Sequence, residues 1–87
     1  MNYNELSEEE QIELVSKYGF NIQYIDEPTE AVQLAAVRQQ GSAVRFVEYP
    51  SETVQLAAVR QDPYSIQYIK VPTKQVIFIT LLTIIRA

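Results

Sequence analysis

The sequence predicts an all-α protein, a short α-solenoid of 22-residue units that each contain a helix and a second, short helix. Three observations support this prediction. The octapeptide VQLAAVRQ occurs at Val32–Gln39 and again, 22 residues later, at Val54–Gln61. The tetrapeptide IQYI occurs at Ile22–Ile25 and at Ile66–Ile69. Signals for the start of a helix recur with the same period.

The repeat defines the organisation of the chain. Three complete units align without a gap as residues 19–40, 41–62 and 63–84, and residues 1–18 resemble the second half of a further unit. Atypical first and last units are expected in a stacked array, because each end unit lacks one neighbour. We therefore predict a single repeat domain over residues 1–87.

The first element of each unit has the signals of an α-helix. A Ser or Thr follows a proline and precedes a stretch without Gly or Pro, so that its hydroxyl can cap the first turn; these residues are Thr29, Ser51 and Thr73. Gly41 predicts the end of the first such helix, as a C-terminal glycine commonly does. The predicted helices cover residues 7–18, 29–40 and 51–62. Their apolar residues occupy two sides, which indicates that each helix packs against two neighbours.

The second element of each unit is less well determined by its residues. It comprises Ile22–Ile25, Val44–Val47 and Ile66–Ile69, each with the pattern apolar, polar, aromatic, apolar. Apolar residues three positions apart suit a short helical turn, whereas Tyr, Ile and Val also suit a strand. The alternative fold is therefore an α/β solenoid with short parallel strands.

Two segments resemble a known repeat. Ala36–Val47 (AVRQQGSAVRFV) and Ala58–Ile69 (AVRQDPYSIQYI) are similar to the units A-V-x-Q-x-G-x-[AS]-[IL]-x-[YF]-[IV] of a tandem repeat family of unknown function found in bacterial, protist and viral proteins. The resemblance covers residues 7–76 and implies an all-helical fold. It carries over no activity and no functional residues. Ile77–Ala87 departs from the family pattern, because bulky β-branched residues replace the expected small ones.

Composition argues against most kinds of chemistry. The chain has no cysteine and no histidine, and therefore no thiolate nucleophile, imidazole base or usual zinc ligand. We predict that it is not an enzyme and that it needs no cofactor and no metal. Its net charge of −4 argues against direct binding of nucleic acid. An acidic N-terminus and the shortness of the most apolar stretch, Val76–Ile85, predict a cytoplasmic protein without membrane contact.

Rows of equivalent residues provide candidate contacts with a partner. A 22-residue period places equivalent side chains along one face, which is where solenoids bind, although such rows can also be solvated edges. The predicted partner-binding residues are Tyr49, Arg38, Arg60, Gln33 and Gln55. A further row of Tyr24, Phe46 and Tyr68 is predicted to lie in the core, because one member is Phe.

The apolar tail, Val76–Ile85, is the strongest candidate for a docking surface. Ten such residues are hard to leave in water on a small monomer. We predict that they form a homodimer contact, with Val76, Phe78, Ile79, Leu81, Leu82 and Ile85 as its residues. The alternatives are a docking segment for another protein and a final helix that only covers the last unit.

The leading functional hypothesis is a non-enzymatic protein–protein interaction module built from stacked helical repeats. A second hypothesis is a small acidic viral-type inhibitor of a host defence or nucleic-acid-binding protein, whose acidic N-terminal half-repeat, residues 1–18, would occupy a basic nucleic-acid groove. A third is a fragment of a longer repeat scaffold. The first two differ in their expected salt dependence, which is steep only for charge mimicry.

Overall fold

The computed structural model describes residues 2–86, in which α-helices alternate with short 3₁₀ helices and no strand occurs. The α-helices are α1 (Glu8–Lys17), α2 (Glu30–Gln39), α3 (Glu52–Gln61) and α4 (Lys74–Arg86). The 3₁₀ helices are η1 (Tyr3–Glu5), η2 (Gly19–Tyr24), η3 (Gly41–Phe46) and η4 (Pro63–Tyr68). The all-α prediction is confirmed, and the alternative with parallel strands is wrong.

The α-helices begin at the predicted caps. The hydroxyl oxygens of Thr29, Ser51 and Thr73 accept hydrogen bonds from the backbone N–H groups three residues later, at 3.4, 3.3 and 3.2 Å. Ser7 and Glu10 form a reciprocal capping box at the start of α1. Local sequence signals were sufficient to predict where these helices begin, because each capping side chain forms a hydrogen bond within its own first turn.

The caps also join neighbouring units. The Thr29 hydroxyl donates to a carboxylate oxygen of Glu8 at 2.6 Å, and the Ser51 hydroxyl donates to Glu30 at the same distance. Each of these two cap hydroxyls therefore accepts from its own helix and donates to the first turn of the preceding one. This contact connects the N-termini of successive helices.

The end of α2 lies where the sequence predicts it, but for a different reason. Gln40 leaves the helix in an extended conformation, with φ at −147°. Gly41 then opens η3, and no glycine of residues 2–86 has a positive φ. A Cβ on Gly41 would lie 2.6 Å from the carbonyl oxygen of Ala58 in α3. Gly41 is thus required for close approach of the next helix, and the prediction that it acts as a C-terminal helix stop is wrong.

The middle helices α2 and α3 each pack between two neighbours through opposite faces. The face toward the preceding helix, here called the backward face, carries small or β-branched residues that are fully buried: Val32, Ala36, Val54 and Ala58. The face toward the following helix, the forward face, carries Leu34 and Val37 in α2 and Leu56 and Val59 in α3.

In the end helices, Ile12 and Val15 form the forward face of α1, and Val76 begins the backward face of α4. Larger residues of one unit therefore meet smaller residues of the next.

Glutamine side chains join the 3₁₀ helices η2 and η3 to the ends of α2 and α3, the α-helices of the same units. The N–H of Gly19 donates to Oε1 of Gln39 at 2.6 Å, and the N–H of Gly41 donates to Oε1 of Gln61 at 2.5 Å. In the last unit Pro63 has no N–H to donate, and Thr83 stands at the glutamine position. Both partners of this hydrogen bond are therefore replaced together.

Ser65 in η4 is fully buried, and its hydroxyl has no hydrogen-bond partner among residues 2–86. Ala43 occupies the equivalent position one unit earlier. We expect Ser65→Ala to raise the free energy of unfolding by about 1 kcal/mol, because an unsatisfied buried hydroxyl is costly. Urea denaturation measures the change, with the exposed Ser16→Ala as control. A clear loss of stability in Ser65→Ala would contradict the expectation.

Candidate functional site

An apolar stripe on α4 is the most distinctive surface of the molecule. It consists of Phe78, Leu81, Leu82 and Ile85, which are 59, 53, 41 and 75% exposed. Their spacing of three, four and seven residues places them on one side of the helix. We call these four residues the α4 stripe.

The α4 stripe contains the forward face of α4. The residues one, two and three units before Phe78 are half-buried: Leu56, Leu34 and Ile12. The residues equivalent to Leu81 are fully buried or nearly so: Val59, Val37 and Val15. In α1, α2 and α3 this face is covered by the following unit, whereas in α4 it is open. The stripe is thus a stacking surface without a neighbour among residues 2–86.

The other side of α4 faces the array. Val76 is fully buried and Ile79 packs against the same core cluster. The prediction that Val76 contributes to self-association is therefore wrong, and Ile79 is half-buried within the chain. Ile77 and Ile84, which are not among the predicted residues, are 40 and 36% exposed and flank the stripe. Aligning the sequence of α4 with the sequences of α2 and α3 would have distinguished its buried side from its exposed side.

The opposite end of the array is polar. The backward face of α1 carries Glu10, Glu13 and Leu14, the equivalents of Val32, Ala35 and Ala36. Both carboxylates are exposed, and hydrogen bonds from Ser7, chiefly from its backbone N–H, lower the pKa of the Glu10 carboxyl group. A shallow groove of about 220 Å³ runs along this face. A charged outer face is typical of a terminal capping unit.

The glutamine row has a role inside the array. Nε2 of Gln33 donates to the carbonyl of Pro28 at 2.9 Å, and Nε2 of Gln55 donates to that of Pro50 at 3.1 Å. Oε1 of Gln55 also accepts from the N–H of Thr73 at 3.2 Å. Gln55 is only 5% exposed, so its prediction as a partner-binding residue is wrong. Gln33 is half-buried with its amide nitrogen bonded within the chain.

The remaining predicted contact residues lie on the surface. Arg38 and Arg60 are exposed near the ends of α2 and α3. Tyr49 is 85% exposed, and the hydrogen bond and charge of Glu48 raise the pKa of its phenol. Tyr49 borders a groove of about 190 Å³, which is lined by Glu48, Tyr49, Pro50, Gln55, Ile69, Lys70 and Val71. Binding of a partner by these residues stays a prediction.

The aromatic row is a surface feature rather than part of the core. Tyr24 is 55% and Phe46 37% exposed, so the predicted core placement is wrong for both, while Tyr68 is half-buried. The guanidinium of Arg45 lies 4.1 Å from the centroid of the Tyr68 ring and 5.2 Å from that of Phe20. The 3₁₀ helices bury their aliphatic residues against the α-helices, which leaves the aromatic rings at the edge beside arginine.

Two further features of the described chain bear on its chemistry. Residues 2–86 contain no group of three or more acidic side chains that could hold a metal ion. Within the same range, no helix has both the length and the apolar character needed to cross a membrane.

Comparison of the chain with protein-family models, with curated proteins and with solved structures finds no match.

Proposed function

We propose that this chain is a non-enzymatic protein–protein interaction module whose docking surface is the α4 stripe. The observation that carries the proposal is the exposure of Phe78 and Leu81 at positions that are covered in every preceding unit. The proposal includes membership of the tandem repeat family that the sequence resembles, a cytoplasmic location and self-association through α4. It includes no cofactor, no nucleic acid and no membrane contact.

The energetics favour docking at this surface. Complete burial of a large apolar side chain contributes about 1.5–3 kcal/mol, and each residue of the α4 stripe retains about two fifths of its surface or more for a partner to cover. Soluble monomers rarely leave a contiguous apolar patch open without a function. The four side chains stand on a regular helix, so that little backbone conformational entropy is lost when a partner binds.

The proposal predicts a change of mass when the stripe becomes charged. We expect the wild-type chain to have twice its chain mass of 10.0 kDa, and Phe78→Glu with Leu82→Glu to have the chain mass itself. Burial of unpaired carboxylates would oppose association. Size exclusion with light scattering over a concentration series measures both masses.

The matched control adds the same two charges away from the stripe, as Ala31→Glu with Thr53→Glu on the exposed sides of α2 and α3. It should keep the wild-type mass. The dimer should also persist at high salt, because apolar contacts are not screened, whereas association through the Glu residues of α1 would weaken steeply. A wild-type chain that stays at 10.0 kDa at every concentration contradicts the proposal.

A further inference from the structure

We propose that the outer edge of the 3₁₀ helices binds an extended, proline-rich segment of a partner protein that carries one carboxylate. The edge consists of the fifth and sixth residues of η2, η3 and η4, here called the 3₁₀ row: Gln23, Tyr24, Arg45, Phe46, Gln67 and Tyr68. The 3₁₀ row shares no residue with the α4 stripe, so this site is additional to the proposed docking surface.

The polar side chains of the 3₁₀ row are all held in the same way. Each donates from a side-chain nitrogen to the backbone carbonyl three residues earlier, at 3.0 Å for Gln23, 3.2 Å for Arg45 and 3.1 Å for Gln67. All three side chains are exposed. The second N–H of each amide and the terminal N–H groups of the guanidinium are left to donate to a partner. The row therefore presents fixed hydrogen-bond donors in three successive units.

Arg45 gives the 3₁₀ row its charge. It is the only charged residue of η2, η3 and η4, in a chain whose net charge is −4. Its guanidinium lies over rings of both neighbouring units, 4.1 Å from the centroid of Tyr68 and 5.2 Å from that of Phe20. These contacts hold the side chain in place, so that little rotamer entropy is lost when it pairs with a carboxylate. The complementary charge on the partner is therefore a carboxylate opposite the middle unit.

The spacing of the units matches a polyproline II helix. Packed helices have axes about 8–10 Å apart, so equivalent residues of the row recur at about that distance. A polyproline II chain rises about 3.1 Å per residue with about three residues per turn, and it therefore presents the same side about every 9 Å. A β-strand presents the same side every second residue, about 7 Å, which does not match. A proline-rich segment can thus place every third residue against one unit.

The hydrogen-bonding groups of the row also favour such a segment. A polyproline II chain has no internal hydrogen bonds, so its carbonyl groups can accept from Gln23, Arg45 and Gln67. An α-helix uses its carbonyl groups internally except in the last turn. Aromatic rings supply the flat contacts on which proline-rich segments dock, and Tyr24 is 55% and Phe46 37% exposed. Single-stranded nucleic acid also stacks on such rings, but one arginine in a chain of net charge −4 does not neutralise its phosphates.

Binding of fluorescent peptides tests the site. The probe is a capped nonapeptide, PPPPEPPPP, which places a carboxylate at its centre and a proline three residues to either side. The first control peptide has glutamine in place of glutamate. We expect the wild-type chain to bind the glutamate peptide about tenfold more tightly, because hydrogen bonds to a charged group are the stronger ones. A second control peptide with glycine in place of each proline should bind more weakly, because it must lose more conformational entropy. Fluorescence anisotropy measures all three affinities.

Arg45→Gln is the main variant, because glutamine is already the residue at this position in the units before and after. It should keep the helical circular dichroism of the wild type and bind the glutamate and glutamine peptides equally. The matched control Arg38→Gln removes an exposed arginine near the end of α2 and should keep the preference of about tenfold. The charged variant of the α4 stripe, Phe78→Glu with Leu82→Glu, should also keep it.

The possible outcomes are distinct. Equal binding of the glutamate and glutamine peptides by the wild type, or no binding up to about 1 mM peptide, would overturn the assignment of this site. A preference that survives Arg45→Gln would also overturn it. Tighter binding of oligothymidylate than of the glutamate peptide would show a nucleic-acid surface instead. The proposed function is tested separately, because none of these results changes the expected mass of the chain in solution.

Discussion

Replacing Gly41 by alanine is expected to lower the free energy of unfolding by about 3 kcal/mol, a large part of the stability of a small domain. The added Cβ would lie 2.6 Å from the carbonyl oxygen of Ala58, 2.7 Å from Oγ of Ser65 and 2.8 Å from Oε1 of Gln61. The nearest of these atoms belongs to the backbone of α3 and cannot rotate away. Relief of the clash requires η3 to move away from α3 within the second complete unit.

The loss of stability expected for Gly41→Ala is opposite in sign to the usual effect of replacing glycine by alanine. Where the backbone conformation permits it, Gly→Ala usually stabilises by about 0.4–1 kcal/mol, because the unfolded chain loses conformational freedom. Gly41 has no positive φ, so the clash alone decides against alanine. Urea denaturation followed by circular dichroism measures the difference, with the exposed Thr53→Ala as control. An unchanged or higher stability of Gly41→Ala would show that the helices do not approach as closely as described.

Replacing Gln61 by alanine is expected to lower the free energy of unfolding by about 1–3 kcal/mol. The backbone N–H of Gly41 lies in a buried residue and donates to Oε1 of Gln61 at 2.5 Å. Alanine removes the acceptor and leaves this donor without a partner from the side chain. This loss of stability is larger than that expected for an exposed helical glutamine, because the buried N–H of Gly41 remains without its hydrogen-bond acceptor.

The matched control is Gln75→Ala, which truncates an exposed glutamine of α4 in the same way. It should change stability by no more than about 0.5 kcal/mol. Gln39→Ala should reproduce the loss, because Gln39 accepts from Gly19 at 2.6 Å. Equal stabilities of Gln61→Ala and Gln75→Ala would contradict a role for the glutamine in joining the elements.

The features that could be predicted from the sequence are those decided within a few residues. The caps at Thr29, Ser51 and Thr73 bond inside their own first turn, and the repeat itself establishes that equivalent segments share one structure. The role of Gly41 could not be predicted in the same way. It depends on the carbonyl of Ala58, which lies in α3 and approaches Gly41 only when η3 packs on that helix.

Only part of the candidate site could be predicted from the sequence. The reason is again physical. A helix buried on two sides has no simple polar face, so its apolar periodicity does not tell which side meets a neighbour. Val76 and Phe78 are both large and apolar, yet the first is fully buried and the second 59% exposed. Gln55 is a surface residue by type, but it is buried because its amide bonds the loops before α3 and α4.

The last unit lacks the glutamine contact, so a partner bound at α4 would also affect the folding of that unit. Units of a stacked array are stabilised mainly by their nearest neighbours, so a unit with fewer restraints opens first. The last unit has Pro63 and Thr83 in place of the Gly–Gln pair and also lacks a following neighbour among residues 2–86. A protein docked on α4 would supply that neighbour and shift local opening equilibria toward the closed array. Binding at one end would thereby set how long the adjacent backbone stays protected from proteases.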